Sequence, residues 1–194
     1  MKVSRIQSAK NRSGIVEAAA RLYREKGLHG VGVAEITQEA GLTHGGLYRH
    51  FDSKDALARE ACIRAFDWKI TSQDAEQGAN ADARLQALVH DYLSTRHRDN
   101  PGDGCPVAAL AMDAARAGPP MSEVFAEGIE RNIQRFAQAA SNGSHAAGAT
   151  ERADTIHMLA SMVGAMVLAR ATAAANPALS EEILATLRQR LAAV

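Results

Sequence analysis

The sequence predicts an all-α protein, and three observations carry that expectation. Apolar residues recur three and four apart in segment after segment. β-branched runs and alternating apolar–polar stretches are missing. Gly, Asn-Pro and Gly-Pro-Pro punctuation divides the 194 residues into about nine helical segments. That length supports a core in one large or two small domains. The best break in the pattern, Gln77-Gly78-Ala79-Asn80, puts the expected division at residues 8–70 and 71–194.

Lys2, Arg5, Lys10 and Arg12 open the chain as a loose basic arm, either a solubilising tail or a set of phosphate contacts. From Ser13 to Lys26, Ile15, Val16, Ala19, Leu22 and Tyr23 make an amphipathic helix that Gly27 stops. The stretch Val33–Asp55 then organises the rest. Ala34, Ile36, Thr37 and Ala40 fall at helical spacing, and Gly41 ends that short helix where the chain must pass through positive φ. Thr43 stands at an N-cap position. A second short helix carries His44, Gly45, Gly46, Leu47, Tyr48, Arg49 and His50, with Leu47 and Phe51 as its buried side. Two short helices, a Gly turn and a polar leading edge on the second spell a helix-turn-helix, whose second helix can enter a major groove.

Ser53 is the expected cap of a helix reaching about Gln73. Asp82 caps the next, to about His97, and residues 98–104 form a loop. Pro106 opens a helix to Ala117, and Gly118-Pro119-Pro120 breaks it. Ser122–Ser141 is amphipathic, a loop follows to Thr150, and Arg152 to about Ala174 is the longest apolar helix. Ser180 is the expected cap of the last, Glu181–Ala192.

Net charge is zero, but residues 1–54 hold nine Lys and Arg against five Asp and Glu, and residues 55–194 hold thirteen against seventeen. A basic first third on an acidic remainder points to a polyanion partner for the first part only. Two cysteines, no secretory h-region and no apolar run of about 18 residues fit a soluble cytoplasmic protein, not a membrane one. No nucleophile–base pair, dinucleotide loop or metal spacing is present, so no enzyme chemistry and no cofactor are expected.

The runs IVEAAARLYREKGLHG, VAEITQEAGLTHGGLYRHF and DSKDAL, from Ile15 to Leu57, together resemble the TetR/AcrR family of one-component transcriptional regulators. That resemblance implies a homodimer on a palindromic double-stranded DNA operator, with an N-terminal three-helix DNA-binding domain. It further implies a C-terminal helical domain that binds a small-molecule effector and carries the dimer seam, for repression relieved by ligand. By position in the motif, Thr43, His44, Gly45, Tyr48 and His50 would face DNA and Lys54 would meet phosphate, while Arg49 is either a further DNA contact or half of an intramolecular ion pair. His44 replaces a common Lys or Arg, which weakens the groove contact or makes it pH-sensitive, and Val33 replaces a common Thr.

Outside the reader, Trp68, Tyr92, Cys105, Met112, Phe125 and Phe136 are candidates to line a ligand cavity, although such stripes also serve as core. Cys105 precedes Pro106 at a helix N-terminus, where a thiolate is favoured and thiol modification could release DNA; the alternative is a small buried residue under the loop. Met158, Ser161, Met162 and Ala165, with Leu184 and Leu187 of the last helix, are the expected dimer seam, a purely intramolecular core being the alternative. The rival functions are a DNA-binding protein without an effector, and an all-α enzyme or carrier.

Overall fold

A computed structural model of the chain describes residues 5–68, 81–140 and 149–192. Lys2, the expected boundary at residues 77–80 and most of the loop expected after Ser141 lie outside them. Among the described residues there is no strand. The α-helices are α1 (Arg5–Lys26), α2 (Val33–Glu39), α3 (Lys54–Ala65), α4 (Ala81–Tyr92), α5 (Thr95–Asp99), α6 (Pro106–Ala117), α7 (Pro119–Ala140), α8 (Ala149–Ala173) and α9 (Pro177–Leu191). Two 3₁₀ segments, His44–Arg49 and Pro101–Asp103, complete the set.

The chain forms two compact units, Met1–Trp68 with Pro101–Ala126 and Lys69–Asn100 with Glu127–Val194. In the first, α1 packs against α2, α3, α6 and the Pro101–Asp103 turn. Ile15, Ala19, Leu22 and Tyr23 of α1, Ile36 of α2, and Leu57, Ala61 and Ala65 of α3 are buried in this core, where Phe66 meets Phe125 edge-on at 5.2 Å between ring centroids. Gly27 at φ 79° and Gly41 at φ 67° end α1 and α2 in the left-handed region, as the sequence requires.

Several boundaries differ from the expectation, each for a local reason. α1 begins at Arg5, so residues 5–12 of the basic arm are helical. Arg12 stays exposed and pairs with Glu60 of α3 at 2.5 Å, its guanidinium 4.7 Å from the centroid of the Phe51 ring. Ser53 caps α3 as expected, accepting from Ala56 N–H at 3.0 Å, but that helix ends at Ala65. After Tyr92 the chain breaks, and Ser94 caps the separate α5 by accepting from His97 N–H. Pro119 lies inside α7 rather than before it, because a first-turn proline gives up an N–H that has no partner anyway. Asn176, not Ser180, caps α9, accepting from Leu179 N–H at 3.1 Å.

In the second unit α8 packs along α9, α4 meets α9, and α5 meets α8. Residues Glu151–Ala173 are long and apolar enough to cross a bilayer by length and composition. Here their inner side, Met158, Leu159, Met162, Ala165, Met166 and Ala169, is buried with Leu184 of α9. Ser180 is also buried, its hydroxyl donating to the Ala169 carbonyl at 2.7 Å and accepting from Arg98 at 3.1 Å. Arg170 donates to the carbonyls of His97 and Arg98, tying α8 to α5.

His97 is buried, its Nδ1 2.7 Å from the Tyr92 carbonyl and its ring edge-on to Tyr92. Burial, opposed by that hydrogen bond and assisted by the Arg170 charge, lowers its pKa from 6.5 to about 4. The unfolded chain therefore takes up a proton that the folded chain refuses between these values. Stability is full above the unfolded pKa and falls as pH drops toward 4. Between pH 7 and pH 5 this group alone costs about 2 kcal/mol. Urea unfolding at the two pH values should give a steeper loss in wild type than in His97→Asn. Equal losses would show that the imidazole is not held neutral.

Candidate nucleic-acid interface

The helix-turn-helix is built from α2 and the 3₁₀ segment His44–Arg49, which pack against each other. Ile36 and Thr37 are the buried side of α2, and the Thr37 hydroxyl donates back to the Val33 and Ala34 carbonyls. The turn is closed by Gly41 N–H to the Gln38 carbonyl and Leu42 N–H to the Thr37 carbonyl. The second element differs from the expected α-helix. It is a 3₁₀ segment whose bonds run from Gly46 N–H to the Thr43 carbonyl and from His50 N–H to the Leu47 carbonyl. Thr43 occupies the N-cap, but its hydroxyl accepts no cap hydrogen bond and remains exposed.

Two anchors orient this segment. Leu47 is 0% exposed and Phe51 4%. With these inward, Tyr48 is 58% exposed, Arg49 is exposed without an ion-pair partner among the described residues, and His50 is half-exposed. Lys54 opens α3 half-buried. The His44 side chain lies outside the described residues. A Cβ at Gly46 would make only an ordinary 3.9 Å contact with Leu42, so packing within the chain does not require glycine there. Arg21–Glu39 and Lys26–Glu35 ion pairs tie α2 to α1 behind the reader.

The six ligand candidates are divided between the two units. Trp68, Cys105, Met112 and Phe125 belong to the first unit, Tyr92 and Phe136 to the second. All are buried except Met112, which is 65% exposed. Cys105 has no exposed surface and stands at the N-cap of α6. Burial pushes the Cys62 thiol up to about 12.

Of the seam candidates, Met158, Met162, Ala165 and Leu184 are buried inside the chain's own α8–α9 core, and Ser161 and Leu187 are half-buried. The large apolar side chains that α8 and α9 expose, among the described residues, are Ile156, Val167, Leu168 and Leu179. Sequence reasoning also passed over Asn132, 1% exposed on α7 with a side-chain N–H that has no hydrogen-bond partner among the described residues. Its only signal was one amide within the apolar stripe Phe125, Ile129, Ile133, Phe136.

Comparison with known proteins agrees with this geometry. Residues 15–61 match the profile of bacterial regulatory proteins of the tetR family, and residues 81–187 match the tetracyclin repressor-like C-terminal domain. The transcriptional repressor KstR2 of Rhodococcus jostii is 36% identical over 81 residues, covering 40% of this chain and 39% of its own. The regulator LmrA of Bacillus subtilis is 28% identical over 120 residues, covering 60% of this chain and 64% of its own. These matched stretches thus span less than two thirds of the relatives' lengths. Among solved structures, reduced Escherichia coli NemR superposes with a TM-score of 0.75 at 20% identity, covering 93% of this chain and 94% of that one. A TetR-family regulator from Cytophaga hutchinsonii gives 0.74 at 22% identity, covering 100% and 98%. The family and these named relatives are transcriptional regulators, not enzymes. With both domain profiles matched in order, and the second alone covering more than half of these 194 residues, the chain belongs to the TetR family of bacterial regulatory proteins.

Proposed function

We propose that the protein is a cytoplasmic, homodimeric transcriptional repressor that binds a palindromic operator through its helix-turn-helix and is released by a small-molecule effector. The observation that carries this reading is the exposure of Tyr48 and Arg49 above the buried pair Leu47 and Phe51. An aromatic hydroxyl and an unpaired guanidinium on a short protruding element suit phosphate and base-edge contacts. Gly46, which no internal contact demands, lets the backbone approach DNA closely. Thr43, His44, Gly45, His50 and Lys54 complete the proposed surface, and a domain boundary between residues 70 and 71 separates it from the effector domain.

For the dimer, exposed Ile156, Val167, Leu168 and Leu179 are the apolar surface that a second copy would cover, with Ser161 and Leu187 at its margin. Two recognition segments related by such a seam meet half-sites one DNA turn, or a multiple, apart. An effector that favours another spacing weakens DNA binding by linkage. We assign release to a non-covalent ligand rather than to Cys105, whose thiol is fully buried. Tyr92, Phe136 and the unpartnered Asn132 amide of the second unit are the side chains proposed to meet it, and Trp68, Phe125 and Met112 have weaker support.

A mobility-shift titration on the intergenic DNA upstream of the coding sequence tests the DNA reading. Tyr48→Ala should lower affinity roughly tenfold or more while its melting temperature stays at the wild-type value, because the side chain is exposed. Unchanged affinity in Tyr48→Ala and Arg49→Ala, or no shift of any fragment at low salt, would sink it.

A further inference from the structure

The opening turns of α1 stand outside the core of the first unit. Burial on that helix begins at Ile15, and none of residues 5–14 is buried. Residues 1–16 hold Lys2, Arg5, Lys10 and Arg12 and no acid, and the first carboxylate of the chain, Glu17, is held by Arg64. Further along α1 the cations are matched, Arg21 by Glu25 and Glu39, and Lys26 by Glu35. Arg5 and Lys10 have no ion pair or hydrogen bond among the described residues. Arg12 sets the direction of this stretch. Its guanidinium lies 4.7 Å from the centroid of the Phe51 ring, the anchor two residues past the segment that carries Tyr48 and Arg49. Arg5 precedes Arg12 by seven residues, within about 20° of two full turns at about 100° per residue. Both guanidiniums therefore leave α1 on one face, and Ser8 and Ala9 between them are too short to stand above them. The acids of the neighbouring segment are Glu60, held by Arg12, and exposed Asp52 and Asp55, which bracket Lys54 at the start of α3.

We propose that the Arg5–Arg12 face of α1 is a second DNA contact. It is an arm laid on the sugar-phosphate backbone beside the bases that the helix-turn-helix reads, with Arg5 as its phosphate ligand. Two observations select duplex DNA as the occupant. The face is cationic with no carboxylate of its own, which suits a polyanion. It is also continuous, through Arg12 on Phe51, with the surface already proposed to meet the groove. A guanidinium that no internal acceptor holds is free to take a phosphate in a charge-assisted, bidentate pair. Arg5 stands about 10 Å along the helix from Arg12, a span of about three base-pair steps, so its contact falls on flanking backbone and not under Tyr48. Such a contact adds affinity and fixes orientation without reading sequence. The arm rests on the repressor reading above, because DNA must be seated on the reader for Arg5 to reach it.

Fluorescence-anisotropy titrations of the full chain test this, with the upstream intergenic duplex and an unrelated duplex between about 50 and 200 mM salt. Arg5→Ala should weaken both duplexes by a similar factor, roughly threefold or more at the lower salt. It should also make the fall of log affinity with log salt shallower by about 1 per arm. Arg5→Lys, which keeps the charge, should retain most of that slope. The melting temperature of Arg5→Ala should match wild type, because the side chain is exposed and unpaired. Phosphate-ethylation interference should show wild type depending on backbone positions that flank the half-sites, and Arg5→Ala indifferent to them. Equal affinity and slope in Arg5→Ala would overturn the arm. So would a loss confined to the upstream duplex, which would make Arg5 a base reader, or an unaltered interference pattern. The two readings fail differently. Wild type that binds neither duplex at low salt sinks the repressor and the arm together, whereas wild type that binds with an inert Arg5 sinks the arm alone.

Discussion

Leu47→Ala should lower the unfolding free energy of the DNA-binding unit by about 3 kcal/mol and remove operator binding with it. Leu47 is 0% exposed, and a buried Leu→Ala change leaves both a lost transfer term and a cavity. Here the consequences concentrate in one short element. The 3₁₀ segment His44–Arg49 has six residues, no side-chain cap at Thr43, and two glycines that each cost roughly 1 kcal/mol against Ala in a helix. Its backbone bonds alone cannot hold it, so the Leu47 anchor sets its position. Urea unfolding and mobility shift, run together, distinguish this from Tyr48→Ala, where affinity falls and stability does not. A loss of less than about 1 kcal/mol in Leu47→Ala would mean that something else seats the reader.

Arg24→Met should cost about as much, through hydrogen bonds rather than packing. The Arg24 guanidinium donates to the Ala20 carbonyl at 3.1 Å, the Ala65 carbonyl at 3.4 Å and the Gly104 carbonyl at 3.1 Å. Ala65 ends α3, where carbonyls have no partner within the helix, and Gly104 closes the turn that follows Pro101–Asp103. One side chain of α1 thus joins the end of α3, whose Ala65 carbonyl also accepts from the Trp68 N–H at 3.2 Å, to a turn far away in sequence. Burial lowers the pKa of Arg24 below its usual value and the Asp103 carboxylate pulls it back up, while the side chain keeps its charge. Met preserves most of the stem and removes these charge-assisted hydrogen bonds, a loss of about 3 kcal/mol. Arg24→Lys should recover only part of it, since an ammonium lacks the planar fork. Equal stability of wild type and Arg24→Met in urea would refute the clamp.

The helix-turn-helix was legible because each of its signals is local. Gly41 at positive φ, Ser53 capping α3 and the Leu47–Phe51 pair depend on neighbours within a turn or two. The 3₁₀ form of the second element was not, since Gly45 and Gly46 weaken an α-helix without specifying what replaces it. Long-range packing was equally hidden: nothing in Pro101–Ala117 announces that it shares a core with α1. The inner face of α8 was not legible for a different reason. Met158, Met162 and Met166 make one apolar stripe, but Ile156, Ala160 and Val167 make another, so the helix is apolar on most sides. Periodicity cannot choose an inner face when two qualify. Burial does, and it puts the methionines inside.

The division of labour within His44–Arg49 reaches beyond this one molecule. The residue proposed to keep the segment folded, Leu47, has no exposure, and those proposed to meet DNA, Tyr48 and Arg49, are exposed and lie outside the core. A gene duplicate can therefore alter its preferred operator by surface replacements that leave folding untouched, staying above the stability threshold at each step. Target choice and foldability are inherited on separate side chains, which lets lineages of such readers diversify one substitution at a time.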